Sequence, residues 1–419
     1  MNMILTRIKS TYQEFPAQFW ILVTANFIDR LGGTLIFPFF ALYVTQHFNV
    51  GMTEAGVLLA IFSVFGFIGS MLGGALTDKF GRRGMVLFGL VFSALSSVAM
   101  GLVNELNVFY GLAVIVGLLS NISGPAHQAM IADILPEEQR SEGFGIMRVV
   151  TNLAWIIGPS IGGLLAARSY LTLFVLDAVL SLITAVIVYH FIPETKPEAT
   201  EAQKQESLLT TLVGYREVMA DKIYVGFLLV SMLMLIAYGQ IYNTLSVYLR
   251  DVHEVSTQGY GLLMSLNACF VVGLQIWLTR RIKQAPPMLM MAVGTFFYMI
   301  GLTMYGLVAT YSLFVVAMLI ITVGEMIVMP VGQTLVANLA PAAMRGRYMA
   351  IYALAWTIPS AMGPWAAGLL MDNYNPNWVW YAAGIFSALA VAGFYTLHLA
   401  TRERFATQAE ELKPVSVLS

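Results

Sequence analysis

The sequence predicts an all-α integral membrane protein of twelve transmembrane helices, arranged as two pseudo-symmetric bundles of six. Three observations point there. Of 419 residues, 58% are hydrophobic and 11% carry charge, against roughly a quarter charged in soluble domains. Apolar stretches long enough to cross a hydrocarbon core recur along the whole chain. The chain also repeats itself once, at a constant offset of 205 residues. Pro125, Gln128, Ala132, Pro136 and Arg140 return as Pro330, Gln333, Ala337, Pro341 and Arg345; Gly158, Pro159 and Gly163 return as Gly363, Pro364 and Gly368. Tyr43, Gly56 and Leu58 match Tyr248, Gly261 and Leu263 in the same register. Two parallel halves of about six spans each are the signature of a carrier that moves one half against the other.

Span 1 covers 17–45, an apolar run from Phe19 interrupted by Asp29 and Arg30. It is too long and too charged for a cleavable signal peptide and reads as a retained helix. Spans 2 to 6 follow at 54–77, 84–103, 107–134, 142–167 and 170–192, joined by short loops. The polar stretch opening at Pro193-Glu194-Thr195-Lys196 reads as a linker, 194–222, ending in an amphipathic segment around Leu208–Met219. Spans 7 to 12 lie at 223–249, 257–279, 287–308, 312–339, 347–371 and 377–399. The expected domains are therefore 1–193, the linker, and 223–419 with its short tail.

Arginine and lysine orient these spans. Alternate loops on one side and the two termini hold 18 basic residues, while the opposite loops hold two, Arg168 and Arg250. The positive-inside rule then puts both termini in the cytoplasm of a cell-membrane protein. A net charge of -1 gives a nucleic acid no basic surface to bind. The single Cys269 excludes an intramolecular disulfide, and five scattered histidines supply no metal site or catalytic cluster. There is no phosphate-binding G-x4-G-K-[ST] loop, so ATP is not the energy source. The chain reads as a monomer without cofactor, not an enzyme, whose partners are the bilayer, protons and a small-molecule cargo.

Between spans 2 and 3 lies Gly74-Ala-Leu-Thr-Asp78-Lys-Phe-Gly81-Arg82-Arg83. Gly81 lets the chain turn sharply, and the arginines sit at the membrane boundary. This loop resembles the G-x-L-a-D-r-x-G-r-r loop of the major facilitator superfamily. The resemblance implies a cytoplasmic latch in which Asp78 faces span 11 and Arg82 faces an acidic residue near the end of span 4, where Asp133 stands. Residues 274–290, the repeat equivalent, have no acid and carry Pro286-Pro287 instead. Span 5 carries Gly145, Ala154 and Gly158-Pro159-Ser-Ile-Gly162-Gly163. This is similar to the antiporter motif g-x8-g-x3-G-P-x2-G-G, with Ala154 for one glycine. Small residues at such spacing let helix backbones approach, and Pro159 permits a bend. Gly158-Pro159 is expected to form a close contact between the halves.

Few charges fall inside the spans. Glu325 lies at the midpoint of span 10, 13 residues from both Ser312 and Asn338, or ~20 Å from either end. An ionised carboxylate there is costly, so it faces a cavity or partner, or carries a proton. Asp29 and Arg30 sit about 100° apart around span 1, with Asn26 on the same side as both. A structural ion pair and a cargo site remain equal readings of those two. His127 and Gln128 in span 4, and Tyr238, Gln240, Tyr242 and Asn243 in span 7, complete the candidate cavity. Asp177, near the outer end of span 6, reads as structural. Half of the 24 methionines fall between Met219 and Met329, a surface suited to varied apolar ligands or, more simply, gap filling.

The resemblance covers nearly the whole chain and is nearest the twelve-span drug–proton antiporter branch. Gly324-Glu325-Met-Ile-Val-Met-Pro330 resembles the G-E-x4-P of multidrug exporters. The arginine that such proteins carry in span 4 is replaced by Ala113, which moves attention to Glu325 and Asp29 as the proton-coupling groups. The implied function is proton-coupled multidrug export by alternating access. An exporter or importer of one specific metabolite or lipid is the alternative.

Overall fold

The computed structural model describes residues 13–196, 216–283, 285–341 and 344–411. Most of the expected linker, Arg7 and Lys9 at the start and Lys413 in the tail lie outside the described residues.

The described chain is helical, and its long helices follow the predicted spans. α1 is broken, running Ala17–Ile36, then a 3-10 turn Phe37–Phe39, then Phe40–His47. α2 is Met52–Phe80, α3 Arg82–Leu102, α4 Leu106–Ser120 continued by Gly124–Ile134, α5 Glu137–Ala166 and α6 Tyr170–Phe191. α7 is Lys222–Tyr238 continued by Gln240–Asn243 and Leu245–His253. α8 is Thr257–Ile282, α9 Pro287–Leu307, α10 Tyr311–Leu339, α11 Arg345–Asn373 and α12 Trp378–Glu411. Local chemistry marks the ends. Gly81, at φ 89°, stops α2 and starts α3 in a conformation that L side chains avoid. Asp221 caps α7 by accepting the backbone N–H groups of Ile223 and Tyr224, each at 3.1 Å. α1 breaks at Pro38 and α7 at Gly239 and Thr244, near repeat-equivalent places.

One expectation needs correction. Eleven of these helices, not twelve, are long and apolar enough to cross a membrane among the described residues. The exception is α11, which has 29 residues and ample length. Its Trp356, Pro359, Gly363, Pro364 and Trp365 dilute the apolar character that a span is recognised by.

Packing repeats with the sequence. α3 packs on α6 as α9 packs on α12, and α1 packs on α6 as α7 packs on α12. The described chain forms two compact units. The first comprises Met1–Gln203, Ile241–Val272 and Pro364–Asp372; the second comprises Lys204–Gln240, Gly273–Gly363 and Asn373–Ser419. The first unit therefore joins the first six helices to the ends of α7, α8 and α11 that lie away from the termini. Within it, Arg250 donates to the Thr45 hydroxyl at 3.0 Å. Those two positions are repeat equivalents, so the end of α1 meets its own counterpart in α7.

Candidate transport site

The α2–α3 loop is built as a hydrogen-bonded turn. Arg82 Nε lies 3.1 Å from Asp133 Oδ2 at the end of α4, and the Thr195 hydroxyl donates to the same oxygen at 3.3 Å. Arg83 stacks over the Tyr189 ring and donates to the Tyr189 carbonyl. The sequence reading missed Glu194, just after α6. It accepts backbone N–H groups from Arg82 at 2.8 Å and Arg83 at 3.2 Å, capping the start of α3, and from Thr195 and Lys196 at 3.1 and 3.0 Å. Burial alone pushes its carboxyl up, but these four donors together hold it below the ordinary carboxylate range. Gly81 also leaves room for Glu194, since a Cβ there would strike its carboxylate. Gly74 has open space around it, and the side chain of Asp78 lies outside the described residues. The signal for Glu194 was present, an acid directly after a helix-ending Pro193, but only the fold brings it to α3.

The α5 motif divides its work between two neighbours. Gly158 faces Thr34 of α1 and Gly162 faces Leu35 and Phe39, while Gly163 abuts Thr257, Gln258 and Gly261 of α8. Of the motif's residues, Pro159 and Gly163 rather than Gly158 reach the second half of the sequence, and a Cβ on Gly145 would have nothing within 4 Å. Ala154 accepts from the Thr34 hydroxyl at 3.1 Å, and Ser160 donates to Ser265 of α8 at 2.7 Å. A second contact mirrors this one. Gly261 of α8 lies against the Pro159 carbonyl, and its repeat equivalent, Gly56 of α2, lies against the Pro364 carbonyl of α11. Gly163 and Gly368 are similarly paired, each packed on the backbone at the start of the partner helix. The symmetry then breaks. Asp372 at the end of α11 accepts the Met52 and Thr53 N–H groups at 3.0 and 2.7 Å and the Thr53 hydroxyl at 2.5 Å. The equivalent position on α5 is Ala167, which offers no such cap.

Inside the first unit, Asp29 and Arg30 of α1 and His127 of α4 lie within electrostatic range of one another. Asn26 is buried one turn before Asp29, Arg30 and Gln128 are exposed, and Asp29 and His127 are half-buried. Asn243 is half-buried in this unit, and Tyr242 meets the Trp155 ring edge-on at 5.5 Å. The second unit holds the remaining candidates. Tyr238 stacks on Tyr298 at 4.9 Å, and Gln240 is buried with its amide donating to the Ile236 carbonyl at 2.8 Å. Glu325 is half-buried on α10; beside it Gly324 packs on Gly294 of α9, and Gln275 of α8 donates to the Met326 carbonyl at 2.9 Å. The glycine of the G-E-x4-P run is therefore a packing residue that brings α9 against α10.

This repeated membrane architecture is matched at family level, where the profile of the Major Facilitator Superfamily covers residues 22–364 and 290–419. The chain belongs to the Major Facilitator Superfamily. Members of this superfamily are transporters, not enzymes. A Na(+), Li(+), K(+)/H(+) antiporter of Planococcus maritimus is 26% identical over 400 residues, covering 88% of this chain and 93% of that one. The quinolone resistance protein NorA of Staphylococcus aureus (strain COL) is 22% identical, over 88% of this chain and 93% of its own. Among solved structures, a POT family transporter in complex with 5-aminolevulinic acid has a TM-score of 0.76 at 17% identity, covering 93% of this chain and 96% of that chain. The nucleoside transporter NupG has a TM-score of 0.75 at 14% identity, covering 91% of this chain and 99% of that chain.

These findings correct the expected function. Multidrug export does not stand: one solved structure of this superfamily fold holds 5-aminolevulinic acid and another is a nucleoside transporter, so the fold marks neither export nor a drug range. Half of the twelve methionines between Met219 and Met329 are withdrawn from any ligand-facing surface. Met234, Met264, Met288, Met291, Met318 and Met326 are all buried, filling gaps between helices. The alternative, a carrier for one specific solute, accords better with these comparisons.

Proposed function

We propose that the protein is a proton-coupled superfamily transporter of one specific small polar metabolite. It would cross the cell membrane twelve times, with α11 as the span of low hydropathy and both termini in the cytoplasm. The observation that carries this reading is the meeting of Asp29, Arg30 and His127 inside the first bundle. A carboxylate, a guanidinium and an imidazole at membrane depth suit a solute that bears charge of both signs or several hydrogen-bonding groups. A site of that kind discriminates strongly, because an analogue without the matching group leaves buried polar atoms unpaired. Asn26, Gln128, Tyr238, Gln240 and Asn243 supply further polar contacts, and Glu325 with Asp29 carries the protons. Arg82–Asp133, Asp78 and the glycines of the α2–α3 loop act as the cytoplasmic latch, and Pro159 with Gly163 as the closing contact on the other side.

A second reading has its own support. The antiporter relative matches over 88% of this chain, so exchange of an alkali cation for protons deserves a place in the same experiment. Purified protein in proteoliposomes with a lumenal pH dye would be given Na+, K+, Li+ and a panel of amino-acid derivatives, nucleosides and sugars. A pH response to one metabolite class supports the main reading, and its sign separates antiport from symport. A response to alkali cations alone supports the second reading. No pH response to any of them overturns proton coupling.

A further inference from the structure

Among the described residues, Asp177 is the only buried acidic or basic side chain, at 7% exposure. It lies on α6, which runs antiparallel to α1. The Thr184 hydroxyl, 3.4 Å from the Ala25 carbonyl, fixes that register at one point. Gly32 against Asp177 fixes it at another, and a Cβ on Gly32 would collide with the Asp177 carboxylate. Helix 1 thus leaves out a side chain at the one level where helix 6 presents an acid.

Asp29 precedes Gly32 by three residues and shares its face of α1. The two carboxylates lie within electrostatic range, and on its other flank Asp29 is in range of His127 of α4, beside its exposed neighbour Arg30. From α3, which packs on the other side, only hydroxyls arrive. Ser97 donates to the Phe174 carbonyl at 3.1 Å and stands beside Asp177, and no titratable residue occurs between Gly84 and Leu102. α5 contributes Arg148, which is exposed. The last part of α1 contributes Tyr43 and His47, and Tyr43 rings against Phe174 at 4.8 Å and Tyr170 at 5.6 Å. None of the described basic groups forms an ion pair with Asp177. Ser181 and Thr184, both fully buried, continue the polar face of α6 from Asp177 toward the level of Asp29 and Ala25.

A carboxylate so enclosed, with a hydroxyl but no cation beside it, is a poor structural ion and a good proton carrier. We propose that Asp177 is a second proton-binding group, exchanging its proton with Asp29 across the α1–α6 interface at Gly32. Resting on the proton coupling proposed above, this places part of the proton path within the first bundle, separate from Glu325. One proton moves per exchange: protonated Asp177 gives it to ionised Asp29, and the Asp177 carboxylate is reloaded from the side toward which the start of α6 points. The two acids repel when both are ionised, so a proton on one makes ionisation of the other easier.

Infrared difference spectroscopy of the purified protein, titrated through the neutral range, reads this without a substrate. Wild type should show a carboxylic-acid C=O band that appears and disappears with pH, is lost in Asp177→Asn and has a shifted midpoint in Asp29→Asn. Gly32→Ala, which removes no ionisable group, should shift the same band by crowding the carboxylate. A band that stays constant with pH, or one unchanged in Asp177→Asn, overturns the proposal. Asp177→Asn that retains wild-type pH-driven transport in proteoliposomes overturns it as well. If the band titrates as described but no solute moves with pH, the coupling reading fails while the proton site stands. If pH-driven transport persists without the titrating band, coupling stands and its acids are Asp29 and Glu325 alone.

Discussion

Glu325 shows how much one residue inside a membrane is asked to do. It sits half-buried beside a glycine that draws α9 against α10, where an ionised carboxylate is costly unless it is partnered or its charge comes and goes. Glu325→Gln imitates the protonated form permanently. It should abolish accumulation driven by a pH gradient while sparing downhill counterflow of the same solute. Uphill transport by that variant would move the coupling role to Asp29. Glu194 makes the opposite use of a carboxylate, since its backbone donors favour the charged form. Because its folded value is depressed, its contribution is complete above the ordinary carboxylate range and disappears as pH falls through the folded value. Glu194→Gln should therefore lower thermal stability at neutral pH by about 1 kcal/mol, the usual cost of a lost cap, and flatten the acid side of the stability profile. Melting in detergent at neutral and acidic pH checks this, and parallel curves for the two proteins would count against the cap.

At the scale of elements, the contacts of α5 with α8 and of α2 with α11 depend on backbone reaching backbone. Gly56 and Gly261 meet proline carbonyls, and Gly163 and Gly368 meet the first turns of α8 and α2. A branched side chain at any of these places would hold the helices apart without disturbing insertion, because the added atoms are apolar. Gly368→Leu should leave membrane abundance near wild type and cut transport at least tenfold. It should also raise labelling of a single cysteine placed at Thr53, measured in a Cys269→Ala background since Cys269 is exposed. Gly145→Leu, where the structure has open space, is the matched control and should change neither. Equal effects in both variants would mean that leucine harms these helices wherever it is placed.

For the whole molecule, α11 ends in an acid, Asp372, at the start of α2, and α2 carries an acid, Asp78, close to its own end. The Asp372 cap on α2 is formed, and Asp78 is its proposed counterpart at the cytoplasmic end. Losing a cap costs about 1 kcal/mol, which shifts a two-state population roughly fivefold. Asp372→Asn should thus raise labelling of single cysteines on the outer side, and Asp78→Asn should raise it on the cytoplasmic side. The double variant should return toward the wild-type balance. Labelling that rises on the same side in both single variants would show that these acids do not oppose one another.

Composition and periodicity by themselves determined that this chain spans a membrane many times and folds in two similar halves. Those are properties of each stretch alone, set by the cost of leaving backbone and charge in hydrocarbon. The Arg82–Asp133 pair was expected only from the resemblance of the α2–α3 loop to a known family, since Asp133 lies 51 residues beyond Arg82. Tertiary structure decided which helix each small residue serves. Gly158 turned out to face α1 and Gly163 to face α8, because direction around a helix has meaning only once neighbours are in place. It also decided the roles of Glu194, Asp177 and Asp372. Each is a lone acid in the sequence, and each gains its chemistry from groups that are 80 or more residues away, Arg82, Gly32 and Thr53, brought near only by helix packing.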